Sequence, residues 1–211
     1  MSETRKTVVV LGATGQQVSS PHAIDSASMS NVLLLKGGSI VNHFLQQSTN
    51  YHVRGLTRDV NSVKAKELAQ KGVEVISADL NDITTLVHAF KGAHVIYAMT
   101  DFWQAMSFDI EYNQGVGIAD TAADLPQLEH FIWATLPDGR ALSNGKFTHI
   151  YHWQSKAAVT DYIRKSRPAL WAKTTAVLFP NYFENCKTAP TSYLPVKVSD
   201  STRRLDSKIR G

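Results

Sequence analysis

The sequence has little cysteine, no long apolar run and little net charge outside its last residues. Its one cysteine, Cys186, excludes an internal disulfide framework and fits a reducing compartment. Aliphatic runs such as Val32–Leu35 are far too short to cross a bilayer. Met1–Thr7 is short and polar and lacks the apolar segment of a secretory signal peptide. We therefore expect a cytoplasmic or nuclear protein that has no membrane contact.

The excess of positive charge is small and is concentrated at the end of the chain. The formal net charge is +4, and residues 197–211 carry +3 of it. No basic face with interleaved aromatic residues accompanies this stretch. Direct binding of nucleic acid is therefore not expected.

What the sequence does have is a regular alternation of β-branched apolar runs and helical patterns. Six strands are predicted, at Thr7–Leu11, His52–Thr57, Val73–Ala78, His94–Thr100, His130–Leu136 and Thr174–Phe179. Five helices are predicted between them, at Ser39–Gln47, Val60–Lys71, Ile83–Phe90, Asp109–Ala123 and Gln154–Lys165. This alternation predicts an α/β fold with a Rossmann-like, doubly wound parallel sheet and helices on both faces.

A glycine turn follows the first predicted strand directly. The segment Gly12-Ala13-Thr14-Gly15-Gln16-Gln17 offers glycines that let the backbone approach a pyrophosphate, whose charge then rests on the next helix N-terminus. The alternative is an ordinary turn at the end of a strand. In a βαβ chain, the position after the first strand favours a dinucleotide-binding site.

Val18–Lys36 separates this turn from the third glycine and the helix that should follow it. The segment is rich in Ser and has no clear period, and Gly37-Gly38 then supplies the missing glycine. One hypothesis is a retained intron, because Val18-Ser19 can be encoded by a splice donor sequence and Lys36 by an acceptor. The other hypothesis is a genuine surface loop. We expect this insert to displace the helix that receives the pyrophosphate and so to weaken nucleotide binding.

Further motifs are specific when they are taken together with the glycine turn. They are Arg54–Arg58, Gly72–Val75, Ala78–Leu80, Thr100–Trp103, His130–Asp138 and Tyr182–Asn185. From about Thr7 to Lys197, apart from the insert, the chain resembles the NmrA-like family of atypical short-chain dehydrogenases, which is widespread in fungi and also found in animals. The resemblance implies a Rossmann domain that binds NADP(H).

Arg58 supports this cofactor independently, because it ends the second predicted strand. An acidic residue there would accept hydrogen bonds from the ribose 2′-hydroxyl of NAD, whereas a guanidinium pairs with the 2′-phosphate of NADP. The alternative is a solvated arginine at a strand end. By resemblance, other residues contact the nucleotide, in order from the adenine to the nicotinamide. They are Asp79, Leu80, Thr100, Phe102, Tyr182, Phe183, Glu184 and Asn185.

Reductases of this superfamily use a tyrosine and a lysine four residues later on one helix face, and the lysine lowers the pKa of the phenol and holds the ribose. The matching pair here is His152 and Lys156, so the lysine is kept and the phenol is not. Thr135 corresponds to the assisting serine and keeps a hydroxyl. His152 is a candidate proton donor, because its ordinary pKa of about 6.5 suits that role; the alternative is a structural or ligand-contacting histidine. His149 and His152 lack a third ligand, so no metal is predicted.

The end of the chain differs from the family pattern. Family members continue into a region that covers the nicotinamide pocket and contacts partners, whereas here periodicity is lost after Lys197. We predict an NADP-binding Rossmann domain at residues 1–197, an aberrant or disordered tail at 198–211, and a truncated substrate or partner region. A second retained intron is one explanation, and a natural short isoform is another.

Three functional interpretations remain. The leading one is an NADP(H)-binding redox sensor or transcriptional regulator that acts through a protein partner, by resemblance a GATA-type transcription factor. The second is an NADPH-dependent oxidoreductase of a small carbonyl substrate, of the kind found in fungal secondary metabolism, with Lys156, Thr135 and His152 in its site. The third is a non-functional truncated product.

Overall fold

The protein is described by a computed structural model at residues 5–14, 37–178, 196–199 and 202–204. Its main element is a six-stranded sheet in the order β3-β2-β1-β4-β5-β6, and every neighbouring pair is parallel. The strands are β1 (Lys6–Val10), β2 (Tyr51–Thr57), β3 (Glu74–Ser77), β4 (Ala93–Ala98), β5 (His130–Thr135) and β6 (Thr174–Leu178). The predicted doubly wound parallel sheet is confirmed.

Helices lie on both faces of this sheet. They are α1 (Gly37–Leu45), α2 (Val63–Gln70), α3 (Ile83–Phe90), α4 (Phe108–Ala123), α5 (Gly139–Leu142), α6 (Tyr151–Ser166) and α7 (Pro168–Trp171), with a short 3-10 helix at Phe102–Gln104. None of the helices in the described part of the chain combines the length and the apolarity that a membrane crossing requires.

The packing of β1 explains why the sequences of the central strands are unbroken apolar runs. Val9 packs in a core with residues of α3, α4 and α6, whereas Val8 and Val10 pack on the other face with residues of α1 and α2. A strand covered on both faces has no polar side to alternate with. β1 also has β2 on one side and β4 on the other, so the chain order reverses between β1 and β4. The carboxyl ends of the strands at such a reversal are where ligands bind in open α/β sheets.

The largest shifts of a predicted boundary are at the starts of two helices: α2 was expected to begin at Val60 and begins at Val63, and α6 was expected to begin at Gln154 and begins at Tyr151. No side chain caps this end at Ile150, so the sequence carries no start signal there. The short helices α5 and α7 were not predicted, although both have start signals. The Asp138 side chain accepts a hydrogen bond from the Arg140 backbone N–H at the start of α5, and Pro168 opens α7.

Two further strands lie where the sequence showed no regular structure. β7 (Val196–Ser199) and β8 (Thr202–Arg204) pair antiparallel. Valines alternate with polar residues in β7, but the pattern is too short to distinguish a strand from coil. The predicted tail boundary at residue 198 stays a prediction.

Candidate functional site at the carboxyl edge of the sheet

Gly37 takes the place of the third glycine of the dinucleotide motif, although the insert separates it from Gly12 in sequence. α1 begins at Gly37, and a Cβ added there would clash with the Gly12 carbonyl oxygen. The same Cβ would lie 2.7 Å from the Gly12 carbonyl carbon and 2.9 Å from Ala13 Cα. Only glycine allows a helix to start this close to the turn.

The expected displacement of the helix by the insert is therefore wrong. Residues 15–36 lie outside the described part of the chain, but the helix that follows them starts in contact with the turn that precedes them. The physical reason is that closing a longer loop adds only a small entropic cost. The packing of α1 against the sheet, with Val41 fully buried, can therefore fix its position.

The turn itself is held in one conformation by its neighbours. Gly12 has φ of +68°, a left-handed value that favours glycine, and a Cβ there would lie 2.7 Å from Met99 Sδ. Thr14 Oγ1 donates a hydrogen bond of 3.2 Å to Thr57 Oγ1 at the end of β2. The glycine turn is thus tied to the strand end that precedes Arg58.

The residues predicted at the adenosine end follow β2 and β3. Arg58 is exposed, and its carbonyl oxygen accepts a 3.3 Å hydrogen bond from Ser77 Oγ at the end of β3. Within the described residues, no carboxylate forms an ion pair with the Arg58 guanidinium. The Asp79 carboxylate accepts two hydrogen bonds of 2.9 Å from Asn81, and Leu80 is partly buried in the core beside α3. Arg58, Asp79 and Leu80 therefore share one edge of the sheet.

A buried polar group is formed by one residue that follows β4, one residue of α4 and two residues of α6. We call it the Lys156 cluster, and its members are Thr100, Glu111, Ser155 and Lys156. The Lys156 ammonium lies 2.6 Å from Glu111 Oε1 and 2.8 Å from both the carbonyl oxygen and Oγ1 of Thr100. Thr100 Oγ1 and Ser155 Oγ both donate hydrogen bonds to the Glu111 carboxylate. The side chains of Glu111 and Lys156 are only 2% and 10% exposed, so this is a buried ion pair.

The cluster uses the whole donor capacity of the lysine. An ammonium has three N–H donors, and Lys156 has three acceptors, two on Thr100 and one on Glu111. Burial lowers the pKa of Lys156, and the Glu111 carboxylate opposes this effect by stabilising the charged form.

Thr135 and His152 lie next to this cluster but take no part in the hydrogen bonds of the Lys156 ammonium and the Glu111 carboxylate. Thr135 Oγ1 is 2.7 Å from Thr160 Oγ1 and 3.2 Å from the Lys156 carbonyl oxygen, so its hydroxyl ties β5 to α6. The His152 ring lies with its centroid 5.1 Å from that of Trp103 and 5.9 Å from that of Phe102. Burial lowers the pKa of His152 below its ordinary value, which favours the neutral imidazole at pH 7.

Two tyrosines are candidates to replace the missing phenol. Tyr151 is 46% exposed, and its ring makes an edge contact with His149. Tyr97 of β4 is buried in the core beneath α1 and α2, on the face of the sheet opposite α6, and burial raises its pKa to about 12. Neither phenol is placed to act with Lys156.

The structure thus brings Thr100, Phe102, Thr135, His152 and Lys156 together at the carboxyl ends of β4 and β5. Some predicted site residues lie outside the described residues, and they are Gly15, Gln16, Gln17, Tyr182, Phe183, Glu184 and Asn185. Over the described ranges, no group of three or more His, Cys, Asp or Glu side chains could hold a metal ion.

Glu111 is the main functional candidate that the sequence interpretation missed. A signal was present, because Glu111 shares a helix face with Gly115, Ile118 and Ala122, which are all buried in α4. A carboxylate on such an apolar stripe requires a partner charge or several donors. Its partner lies on α6, 45 positions along the chain.

Comparisons with known proteins agree with this architecture. The family described as the NmrA-like family matches residues 35–204, which extends beyond Lys197. An NmrA-like family domain-containing protein of Dictyostelium discoideum is 31% identical over 184 residues, covering 85% of this chain and 52% of the relative. The NmrA-like family domain-containing oxidoreductase ptmS of Penicillium ochrochloron is 26% identical over 188 residues, covering 87% of this chain and 49% of the relative. This chain therefore spans about half the length of each of these relatives.

Among solved structures, the negative transcriptional regulator NmrA has a similar fold. Its complex with NADP matches with a TM-score of 0.57 and 22% identity, and its complex with NAD with a TM-score of 0.59 and 23% identity. Each match covers 82% of this chain and 45% of that one. Since the family match also covers most of the residues, the chain belongs to the NmrA-like family.

Proposed function

We propose that this chain binds NADP(H) at the carboxyl edge of its sheet and reports the state of the nucleotide to a protein partner without turning it over. The observation that carries the binding proposal is the start of α1 at Gly37, in contact with Gly12 and Ala13. A cradle that a single Cβ would fill lets backbone N–H groups reach a pyrophosphate. The solved complexes of NmrA with NADP and NAD support binding of a dinucleotide by this fold.

The described residues fit such a nucleotide along its length. Gly12, Ala13 and Thr14 would lie against the pyrophosphate, with the N-terminus of α1 opposite. Arg58 would hold the 2′-phosphate, since its guanidinium is exposed and forms no ion pair with a described carboxylate. The remaining contacts would extend from the adenine to the nicotinamide, through Asp79, Leu80, Thr100, Phe102 and Lys156.

Two features favour a sensor over an enzyme. The position that carries a phenol in reductases is His152, and burial favours its neutral form. The donors of Lys156 are already bonded within the protein. NmrA itself is a negative transcriptional regulator, which supports a regulatory role. A partner of the GATA type is proposed from the family resemblance, and a location in the cytoplasm or nucleus from the sequence.

The Arg58→Ala variant is expected to bind NADPH about tenfold or more weakly, because a charge-assisted pair contributes about 1.5–3 kcal/mol. Affinity for NADH, which has no 2′-phosphate, should stay unchanged. Isothermal titration of the full chain with both nucleotides measures this. Arg164→Ala is the matched control, since it removes one positive charge from an exposed Arg164–Asp161 pair on α6. Equal losses for the two nucleotides, or no preference in the unaltered chain, would contradict the assignment of NADP.

The second candidate is an NADPH-dependent oxidoreductase, and the specific observation for it is that His152 and Lys156 lie one turn apart on α6. The relative ptmS carries the name of an oxidoreductase. Because none of the described tyrosines is placed to act with Lys156, and the ammonium already has three acceptors, we expect no NADPH oxidation above the uncatalysed rate with a panel of aldehydes and ketones. Oxidation that disappears in Lys156→Ala and survives in Lys165→Ala would establish the oxidoreductase instead.

A further inference from the structure

Glu111 is a buried carboxylate for which a dinucleotide site has no obvious use. It accepts hydrogen bonds from Ser155 Oγ, from Thr100 Oγ1 at 2.8 Å and from Lys156 Nζ at 2.6 Å. At 2% exposure it has almost no access to water. A buried carboxylate that lost its cation would be strongly disfavoured, so Glu111 must retain Lys156 as its partner.

The lysine is also at the edge where the nucleotide would lie. Its Nζ bonds the carbonyl oxygen of Thr100, two residues after the end of β4. Ligands of open parallel sheets occupy this edge. Lys156 therefore pairs with a carboxylate inside the protein and also lies at the edge where a nucleotide would bind.

Glu111 and a bound ribose would both need the Lys156 ammonium, and the ammonium has no free donor. Its Nζ already lies within hydrogen-bond distance of three acceptors, two on Thr100 and one on Glu111, which equals the number of its donors. A ribose hydroxyl that accepts a hydrogen bond from Nζ must displace or share one of them. Glu111 is the strongest of the three acceptors, since it carries the opposite charge, so it is the group that holds the ammonium inside the protein.

We propose that Glu111 competes with the nicotinamide ribose for the Lys156 ammonium and thereby lowers the affinity of the chain for the complete dinucleotide. Glu111 is thus a positioning residue that acts through Lys156. The inference rests on the proposed function and adds to it a determinant of affinity. If the ammonium were available to the ribose in about a tenth of the molecules, apparent affinity would fall about tenfold.

The test uses Glu111→Gln, which keeps the shape of the side chain and removes its charge, with two probes. NADPH carries the nicotinamide ribose, whereas adenosine 2′,5′-bisphosphate carries the 2′-phosphate end alone. Isothermal titration of the full chain at pH 7 should show NADPH binding about five- to tenfold tighter in the variant, as expected for removal of a competing charged hydrogen bond. Affinity for adenosine 2′,5′-bisphosphate should not change.

Two further variants separate this effect from a loss of stability. Glu111→Asp keeps the charge but withdraws it from Nζ by one methylene, so a smaller gain in NADPH affinity is expected even if Glu111→Gln folds poorly. Asp120→Asn is the control on the same helix, because Asp120 bonds Tyr162 and Arg167 rather than the Lys156 cluster. It should loosen the contact of α4 with α6 without changing the affinity for either probe.

The outcomes distinguish a failure of the proposed competition for Lys156 from a failure of the proposed function. NADPH affinity that is unchanged or weaker in both Glu111 variants overturns the competition, while binding of both probes by the unaltered chain leaves the proposed function in place. Equal tightening for the two probes also overturns it, because the fragment does not reach Lys156. Failure of every variant and of the unaltered chain to bind either probe overturns the proposed function and this inference together.

Discussion

Lys156→Met is expected to lower the free energy of unfolding by about 3–5 kcal/mol, because removal of one member of a buried ion pair leaves an uncompensated charge. Glu111 would keep its hydrogen bonds from Ser155 and Thr100 but lose its cation. Urea-induced unfolding, followed by circular dichroism, measures the change from the transition midpoint at constant slope.

The double variant Lys156→Met/Glu111→Gln should recover most of this loss. It removes both charges and keeps an amide that can bond Ser155 and Thr100, and uncharged replacements of buried pairs are often neutral. A double-mutant cycle should give a coupling energy of about 3 kcal/mol or more, at the upper end of the range for residues in contact. The control is Lys165→Met on the same helix, because the Lys165 side chain is 69% exposed and its pair with Asp161 contributes at most about 1 kcal/mol. If Lys156→Met cost no more than Lys165→Met, the buried pair would not exist.

Gly37→Ala is expected to destabilise the chain by about 1–3 kcal/mol, although alanine is the better helix former. The added Cβ would meet the backbone of Gly12 and Ala13, which cannot rotate away as a side chain can. α1 would have to move away from the turn, so the affinity for NADPH should fall about tenfold or more in the same variant, by analogy with other misplaced binding groups.

Gly117→Ala is the matched control for this prediction. Gly117 is also helical, but the atoms nearest to its added Cβ belong to the Ile83 side chain and begin at 3.5 Å, an ordinary contact. Helix propensity then predicts a gain of about 0.5–1 kcal/mol. Thermal unfolding measures the stability of the two variants in parallel, and titration with NADPH measures their affinity. Equal stability of Gly37→Ala and Gly117→Ala would mean that α1 does not begin against the turn.

The parts of the fold that depend on local pattern could be predicted from the sequence. β1 is an unbroken valine run after polar residues, and α3 was predicted at Ile83–Phe90 with the bounds that the structure has. The alternation of strands and helices then restricts the topology, because parallel strands with right-handed crossovers leave few arrangements. For the same reason, the sequence alone assigns to the carboxyl edge of the sheet the residues Arg58, Thr100 and Thr135.

The parts that depend on packing between distant elements could not be predicted in this way. The partner of Glu111 is set by how α4 lies on α6, and nothing in the spacing of Glu111 and Lys156 reveals that crossing. The sequence also indicated Thr135 as a hydroxyl for a substrate, whereas the structure bonds it to Thr160 and the backbone of α6. Local pattern thus placed several candidate residues at one edge of the sheet, but it did not reveal which of their hydrogen bonds are already in use.

The contact of Gly37 with Ala13 means that the number of residues joining Thr14 to Gly37 can vary without moving the start of α1. The described chain leaves the turn at Thr14 and returns at Gly37 beside the residue before Thr14, so any linker between them has only a short gap to close. Loop-closure cost rises slowly with length, so the number of residues here is almost independent of the geometry of the helix start. This junction is therefore a suitable place to insert a fluorescent domain beside the proposed pyrophosphate site.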